Sequence, residues 1–273
     1  MKRVLVSSEG DELTLVTLSD RGDQEVSTGP DDDSARLGNV YKGVVVSIEP
    51  RIQAAFVDFG LEWEGFLPVS NVHESYGLVN GTEPGGRPRI QDLLSEEQEV
   101  IVQLNRDKHR VNDFVLSTQI SLPGRYVVLM PGQPKLGVSK KIVDEDERGR
   151  LRDILRDLDP PSTLGYVIRT DGVNRSKDEI GRDLFFLLDL WQDIIGRIRK
   201  SETPALLHAE YEWVLRELRG QLDGSVEELI VDDRDLHKRL KKALPVLHPE
   251  FKGELKLHKS SRPLLQAHGV GAV

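Results

Sequence analysis

Apolar and polar residues alternate with period two in two stretches near the start of the chain, RVLVS and ELTLVTL, which the turn-forming SEGD separates. Both are predicted strands. The polar run TGPDDDSARLG then reads as a linker. From Gly38 to about Thr118 the pattern is all strand: NVYKGVVVSIEP, AAFVDFG, GFLPVSNV, EVIVQLNRD and FVLSTQI are short apolar runs punctuated by Gly and Pro, as in a small barrel. GLVNGTEPGGRPRIQD, between the third and fourth of these, reads as a long loop. After Pro123 the period changes. Leu151, Ile154, Leu155 and Leu158 predict a helix over 144–158, which DPP ends, and YVIRT predicts a short strand. Ser176 and Glu179 form a capping-box pattern. The helix they open carries Ile180, Leu184, Leu187, Leu188, Trp191, Ile194, Ile195 and Ile198 on its inner face. The spacing further predicts a helix over roughly 205–222, then strand ELIVD, helix DLHKRLKKAL and strand ELKLH. The fold class is α+β (mixed α/β). Neither the first 35 residues nor the tail can bury much alone, so the two are expected to pack together, with residues 36–214 as an insertion.

One segment, AAFVDFGLEWEGFLP at 54–68, carries aromatic residues on both faces. Ala55, Val57 and Phe59 share the core side, whereas Phe56 falls with Ala54 and Asp58, and Phe66 stands beside Glu64 beyond the turn. Two rings on an otherwise wet face are costly unless something flat lies on them, and a nucleic-acid base is the commonest flat partner. Rings packed under a neighbouring loop are the other reading.

The remaining composition narrows the class. At 273 residues the chain has room for two domains, and its 38% hydrophobic content and mean hydropathy of -0.38 are those of a globular protein. No apolar run approaches the 18 residues of a membrane span, and MKRVLVSSEGDELTL is wrong for a signal peptide. The absence of cysteine excludes disulfides and thiolate zinc sites, and the seven histidines show no metal-binding pair. A cytoplasmic location is the plain expectation. A net charge of -9 argues against coating nucleic acid by bulk attraction, so any contact must be local and shaped.

A second constellation joins VIRTDGV (167–173) with GRYVV (124–128). A terminal phosphate asks for a guanidinium, a hydroxyl and main-chain N–H groups in a small concavity. Arg169 and Thr170 supply the first two, and Gly124 and Gly172 would let main chain approach closely. A solvated Arg-Thr pair at a strand end is the plainer alternative.

At GNVYKGVVVSIEPRIQAAFVDFGLEWEGFLP the chain resembles the S1 RNA-binding domain of the ribonuclease E/G family, bacterial endoribonucleases of RNA maturation and decay. The likeness continues in order through GGRPRIQDLL, QISLPGRYVVLMPG, VIRTDGVNRS and ELIVDD, covering essentially the whole chain. It implies an OB-type S1 β-barrel (36–118) and a 5′-sensor region (119–214) inserted into a split RNase H-like subdomain (1–35 and 215–273). Phe56 and Phe66 would then contact single-stranded RNA. Gly124, Arg169, Thr170 and the main chain near Val128 would hold a 5′-monophosphate. In the family a DNase I-like subdomain with magnesium-binding aspartates follows, and then a cysteine pair for zinc. Neither is expected in this chain, so magnesium is implied only for a complete family member, no zinc is expected, and the chain as it stands is expected to bind RNA without cleaving it. The expected partner is single-stranded, 5′-monophosphorylated RNA, the target of rRNA and tRNA maturation and mRNA decay, with at most weak self-association. A standalone RNA-binding regulator and an OB-fold adaptor for proteins are the alternatives.

Two places qualify this reading. Where the family carries a Lys-Gly pair, NRDKHRVNDFVLST has Asn112 and Asp113, leaving Arg106, Lys108 and Arg110 to contact RNA there. Asp232, Asp233 and Asp235 could suggest magnesium but come from one short turn, and one of the first two is expected to cap the following helix. Arg175 and Lys177 are expected to be bystanders, and Lys140 and Lys141 read equally as an RNA-backbone contact or as a solvated turn.

Overall fold

The computed structural model describes residues 2–8, 13–19, 24–29, 37–79, 88–106, 114–209, 214, 217–218, 221–222, 225–247 and 251–270. It divides into two units, one built from both ends of the chain (1–35 with 211–273) and one spanning 36–210.

In the first unit the two alternating segments form β1 (Lys2–Ser7) and β2 (Thr14–Ser19), antiparallel with Lys2 opposite Ser19. Val4, Leu5 and Val6 are all fully buried, which marks β1 as a central strand covered on both faces. Its other neighbour comes from the far end of the sequence: β14 (Val226–Val231) runs parallel to it, and β15 (Glu254–Leu257) parallel to β14, giving the order β15-β14-β1-β2-β3. Strand β3 (Gln24–Thr28) was not predicted, because QEVST is an almost wholly exposed edge strand without an apolar face. The helix Arg234–Leu247 links β14 to β15. Before it, Asp233 accepts the N–H of Leu236 as its cap, while Asp232 accepts from Ser7 Oγ at 2.6 Å and Ser8 N at 2.8 Å, tying β1 to β14.

In the second unit β4 (Val40–Glu49), β5 (Ala54–Asp58), β6 (Gly65–Pro68), β7 (Glu99–Arg106) and β8 (Phe114–Ser117) pair in the order β4-β5-β6-β8-β7, and β7 returns to β4 to close a five-stranded OB-like barrel. Its core holds Tyr41, Val45, Val57, Leu67, Val102 and Leu116 around Phe59, which meets Tyr41 and Phe114 edge-on at 5.1 and 5.6 Å. Helix α1 (Ile90–Leu93) buries Ile90 and Leu93 against this core.

The rest of the unit is a four-stranded sheet, ordered β11-β12-β10-β9, and two helices. Its strands are β9 (Leu122–Pro123), β10 (Val127–Pro131), β11 (Leu136–Val138) and β12 (Leu164–Ile168). Helix α2 (Glu145–Leu158) starts at Asp144, whose carboxylate accepts from Asp146 N and Glu147 N. Helix α3 (Lys177–Lys200) opens with the expected capping box and buries Ile180, Leu184, Leu187 and Ile194, while Leu188, Trp191, Ile195 and Ile198 are half-buried. The helix expected over roughly 205–222 is corrected at its start: Ala205–His208 is a strand, β13, antiparallel to Val40–Lys42 of β4, whereas the described Val214, Glu217, Leu218 and Gln221 are helical. A four-residue apolar run has no period of its own, and the open edge of β4 decides its conformation. Among the described residues no helix is long and apolar enough to cross a membrane.

Candidate nucleic-acid interface

The barrel register sets the outer face. Phe56 stands directly opposite Phe66, with ring centroids 5.9 Å apart and planes tilted by 59°. The row continues to Ser47 on β4, Val115 on β8 and Asn105 on β7. Directly paired residues share a face, so the two rings and Val115 form an apolar strip bounded by Ser47 and Asn105. Phe56, Phe66 and Val115 are half-buried and Asn105 is exposed, whereas Phe59 is buried as expected. The side chain of Arg106, at the end of β7, and residues Lys108, Arg110, Asn112 and Asp113 lie outside the described residues.

The second site lies at one end of the four-stranded sheet. Strands β10 and β12 are antiparallel, with Val127 opposite Ile168. The turn Gly124–Tyr126 entering β10 therefore sits beside Arg169 and Thr170 leaving β12. Arg169 is held twice: its N–H donates to the Tyr126 carbonyl at 2.7 Å, and its guanidinium Nη1 donates to the Gly124 carbonyl at 2.6 Å. It is half-buried and forms no ion pair among the described residues. Exposed Thr170 begins a 3₁₀ turn through Gly172. Because Tyr126 and Arg169 are a hydrogen-bonded pair, alternation makes Val128 and Val167 the next such pair. The main chain of Val128 thus belongs to the sheet, and its side chain is half-buried.

Beneath this turn lies Asp183 of α3, the fully buried carboxylate of the described residues. It accepts from Arg125 N at 3.0 Å, Tyr126 N at 2.7 Å and Val127 N at 2.8 Å. Burial pushes its carboxyl above the ordinary aspartate value, against the opposing pull of the three N–H donors and the Arg169 charge. Asp183 also explains Gly124, since a Cβ there would lie 2.6 and 2.7 Å from the two carboxylate oxygens. The glycine makes room for a side chain behind the turn. At Gly172 a Cβ would lie 2.6 Å from Ile168 Cγ2.

Helix α2 steadies the segment after Thr170. Glu147 accepts the N–H of Asn174, a left-handed residue with φ +60°, at 2.8 Å, and Arg150 donates to the Arg175 carbonyl at 2.9 Å. Glu147 and Arg150 also form a bidentate pair, which holds the Glu147 carboxyl down to about 2. The guanidiniums of Arg125 and Arg175 lie 5.1 and 5.5 Å from the Tyr126 ring centre. Lys177 reaches Asp157 at the end of α2, and Lys140 and Lys141 are exposed in a turn. Composition and motif spacing did not single out Asp183, Glu147 or Arg150. For Asp183 a signal existed: it is a carboxylate on the apolar stripe of α3, three residues after Ile180.

Residues 34–118 match the S1 RNA binding domain, and residues 121–272 match the Ribonuclease E/G family. The chain belongs to the ribonuclease E/G family. It is 32% identical to Ribonuclease E of Haemophilus influenzae and to Ribonuclease E of Escherichia coli, over 99% of its own length and 29% and 26% of theirs. To Ribonuclease G of Escherichia coli it is 30% identical over 86% of its length, 48% of that relative. The chain thus spans less than half the length of these ribonuclease E/G relatives.

Proposed function

We propose that this chain is the RNA-gripping and 5′-end-reading part of a ribonuclease E/G-type endoribonuclease. Single-stranded RNA lies across the barrel face, with bases on Phe56 and Phe66. A 5′-monophosphate is received by Arg169 and Thr170, beside the main chain near Val128 and the Gly124 turn. What carries the reading is that two segments distant in sequence, 124–126 and 169–172, meet at one sheet end and hold a half-buried guanidinium that forms no ion pair among the described residues. The aromatic strip and the membership of the family support the first part.

Among the described residues no set of donors fits magnesium, which the family implies for cleavage. Asp232 is engaged by Ser7 and Ser8, Asp233 by the helix it caps and Asp235 by Lys238, and no group of three or more His, Asp or Glu among the described residues could hold a metal. No hydrolytic step is assigned to this chain's residues.

Two variants separate the two faculties. In titrations with 3′-labelled RNA, Phe56→Ala/Phe66→Ala should weaken 5′-phosphorylated and 5′-hydroxyl RNA equally. Arg169→Ala should lower only the phosphorylated form, to the level of the hydroxyl. Retention unchanged by the double alanine variant would favour the protein adaptor.

A further inference from the structure

We infer that Asp183 is a positioning residue for 5′-phosphate recognition: from inside helix α3 it sets the 124–127 turn whose carbonyls aim Arg169. The inference rests on the 5′-end reading above and names a residue that reading does not use.

The chain of contacts is short. The Asp183 carboxylate takes the N–H groups of Arg125, Tyr126 and Val127, three consecutive donors of one turn, and so holds that turn in the conformation seen. In that conformation the carbonyls of Gly124 and Tyr126 point the other way, to Nη1 and the backbone N–H of Arg169. Gly124 N closes the turn on the Val127 carbonyl at 2.8 Å. Arg169 is thus fixed at both ends by a peptide segment that is itself fixed by one carboxylate. A guanidinium loses less entropy on meeting phosphate when its fork is already oriented. The placement is also electrostatically specific. A buried carboxylate is costly unless hydrogen-bonded, and apolar packing alone would fill this place more cheaply. Asp183 makes no ion pair with Arg169 among the described residues, so the guanidinium is steered and stays available.

The test uses Asp183→Asn, which keeps the size but replaces one acceptor oxygen by an NH₂ group facing backbone donors. Affinities for one short single-stranded RNA with a 5′-monophosphate or a 5′-hydroxyl are measured on the wild type, Asp183→Asn and Arg169→Ala. The expected result is a fall of about tenfold in the phosphate-to-hydroxyl affinity ratio of Asp183→Asn, in line with the loss of one charge-assisted hydrogen bond. Affinity for the hydroxyl RNA should be unchanged. A wild-type ratio retained in Asp183→Asn, with Arg169→Ala abolishing it, would overturn this inference and leave the 5′-end reading intact. Equal weakening of both RNAs would overturn it too, by showing general structural damage. No wild-type preference would remove the 5′-end reading and this inference with it. Should Asp183→Asn not fold, hydrogen exchange on the wild type decides. The amides of 125–127 should gain protection with phosphorylated RNA beyond that given by hydroxyl RNA, and equal protection would refute the coupling.

Discussion

Replacing Gly124 by alanine perturbs the fold at a single calculable point. The new methyl group would stand 2.6 and 2.7 Å from the Asp183 oxygens and 2.9 Å from its Cγ, all closer than real Cβ contacts allow. The carboxylate cannot yield freely, because it is held by three N–H donors at 2.7 to 3.0 Å. A retreat of several tenths of an ångström weakens at least one or two of those bonds, each worth about 1.5–3 kcal/mol for a charged acceptor. Against this, alanine restricts the unfolded chain and returns about 0.4–1 kcal/mol. The net loss should be about 2–3 kcal/mol, read as a lower urea midpoint at constant m. In an Asp183→Ala background the obstructing atoms are gone, and Gly124→Ala should then be nearly neutral. A double-mutant cycle therefore gives a coupling of about 2 kcal/mol. An equal cost of Gly124→Ala in both backgrounds would refute the claim that Asp183 dictates the glycine.

Three further outcomes follow from the same contacts. Phe56→Ala or Phe66→Ala should each weaken single-stranded RNA by about 1–3 kcal/mol in anisotropy titrations, whereas Phe59→Ala, from the barrel core, should cost about 3–5 kcal/mol of stability in urea unfolding. Ser176→Ala removes the side-chain acceptor of the α3 capping box and should cost about 1 kcal/mol, visible as a lower Tm. Glu147 has a folded value of about 2, below its ordinary 4.5, so its contribution is complete above 4.5 and is lost as pH falls towards 2. Glu147→Gln should flatten that part of the stability–pH curve, and an unchanged slope would contradict the Glu147–Arg150–Asn174 contact set.

What was legible in the sequence was what local pattern encodes. Period-two alternation gave the barrel strands and put Phe56 and Phe66 on one face, and S-x-x-E marked the start of α3. Strand β3 escaped because an exposed edge carries no apolar period, and Ala205–His208 was misread because its partner strand, distant in sequence, determines its state. At the proposed 5′-end site the residue types could be named from sequence, but the contacts that hold them could not. Gly124 signals close approach in sequence, yet what approaches is Asp183, 59 positions later. Pairing across such separations sets the register, so the alignment of Ser47, Val115 and Asn105 with the two rings also had to come from the structure.

The central claim is tested most directly by the affinity of the wild-type chain for one short single-stranded RNA, 3′-labelled, carrying either a 5′-monophosphate or a 5′-hydroxyl, at fixed salt. The account predicts measurable binding of both through the Phe56–Phe66 face, and tighter binding of the phosphorylated form through Arg169 and Thr170. Equal affinities would contradict the 5′-end site, and no binding of either RNA would contradict the RNA-gripping role altogether.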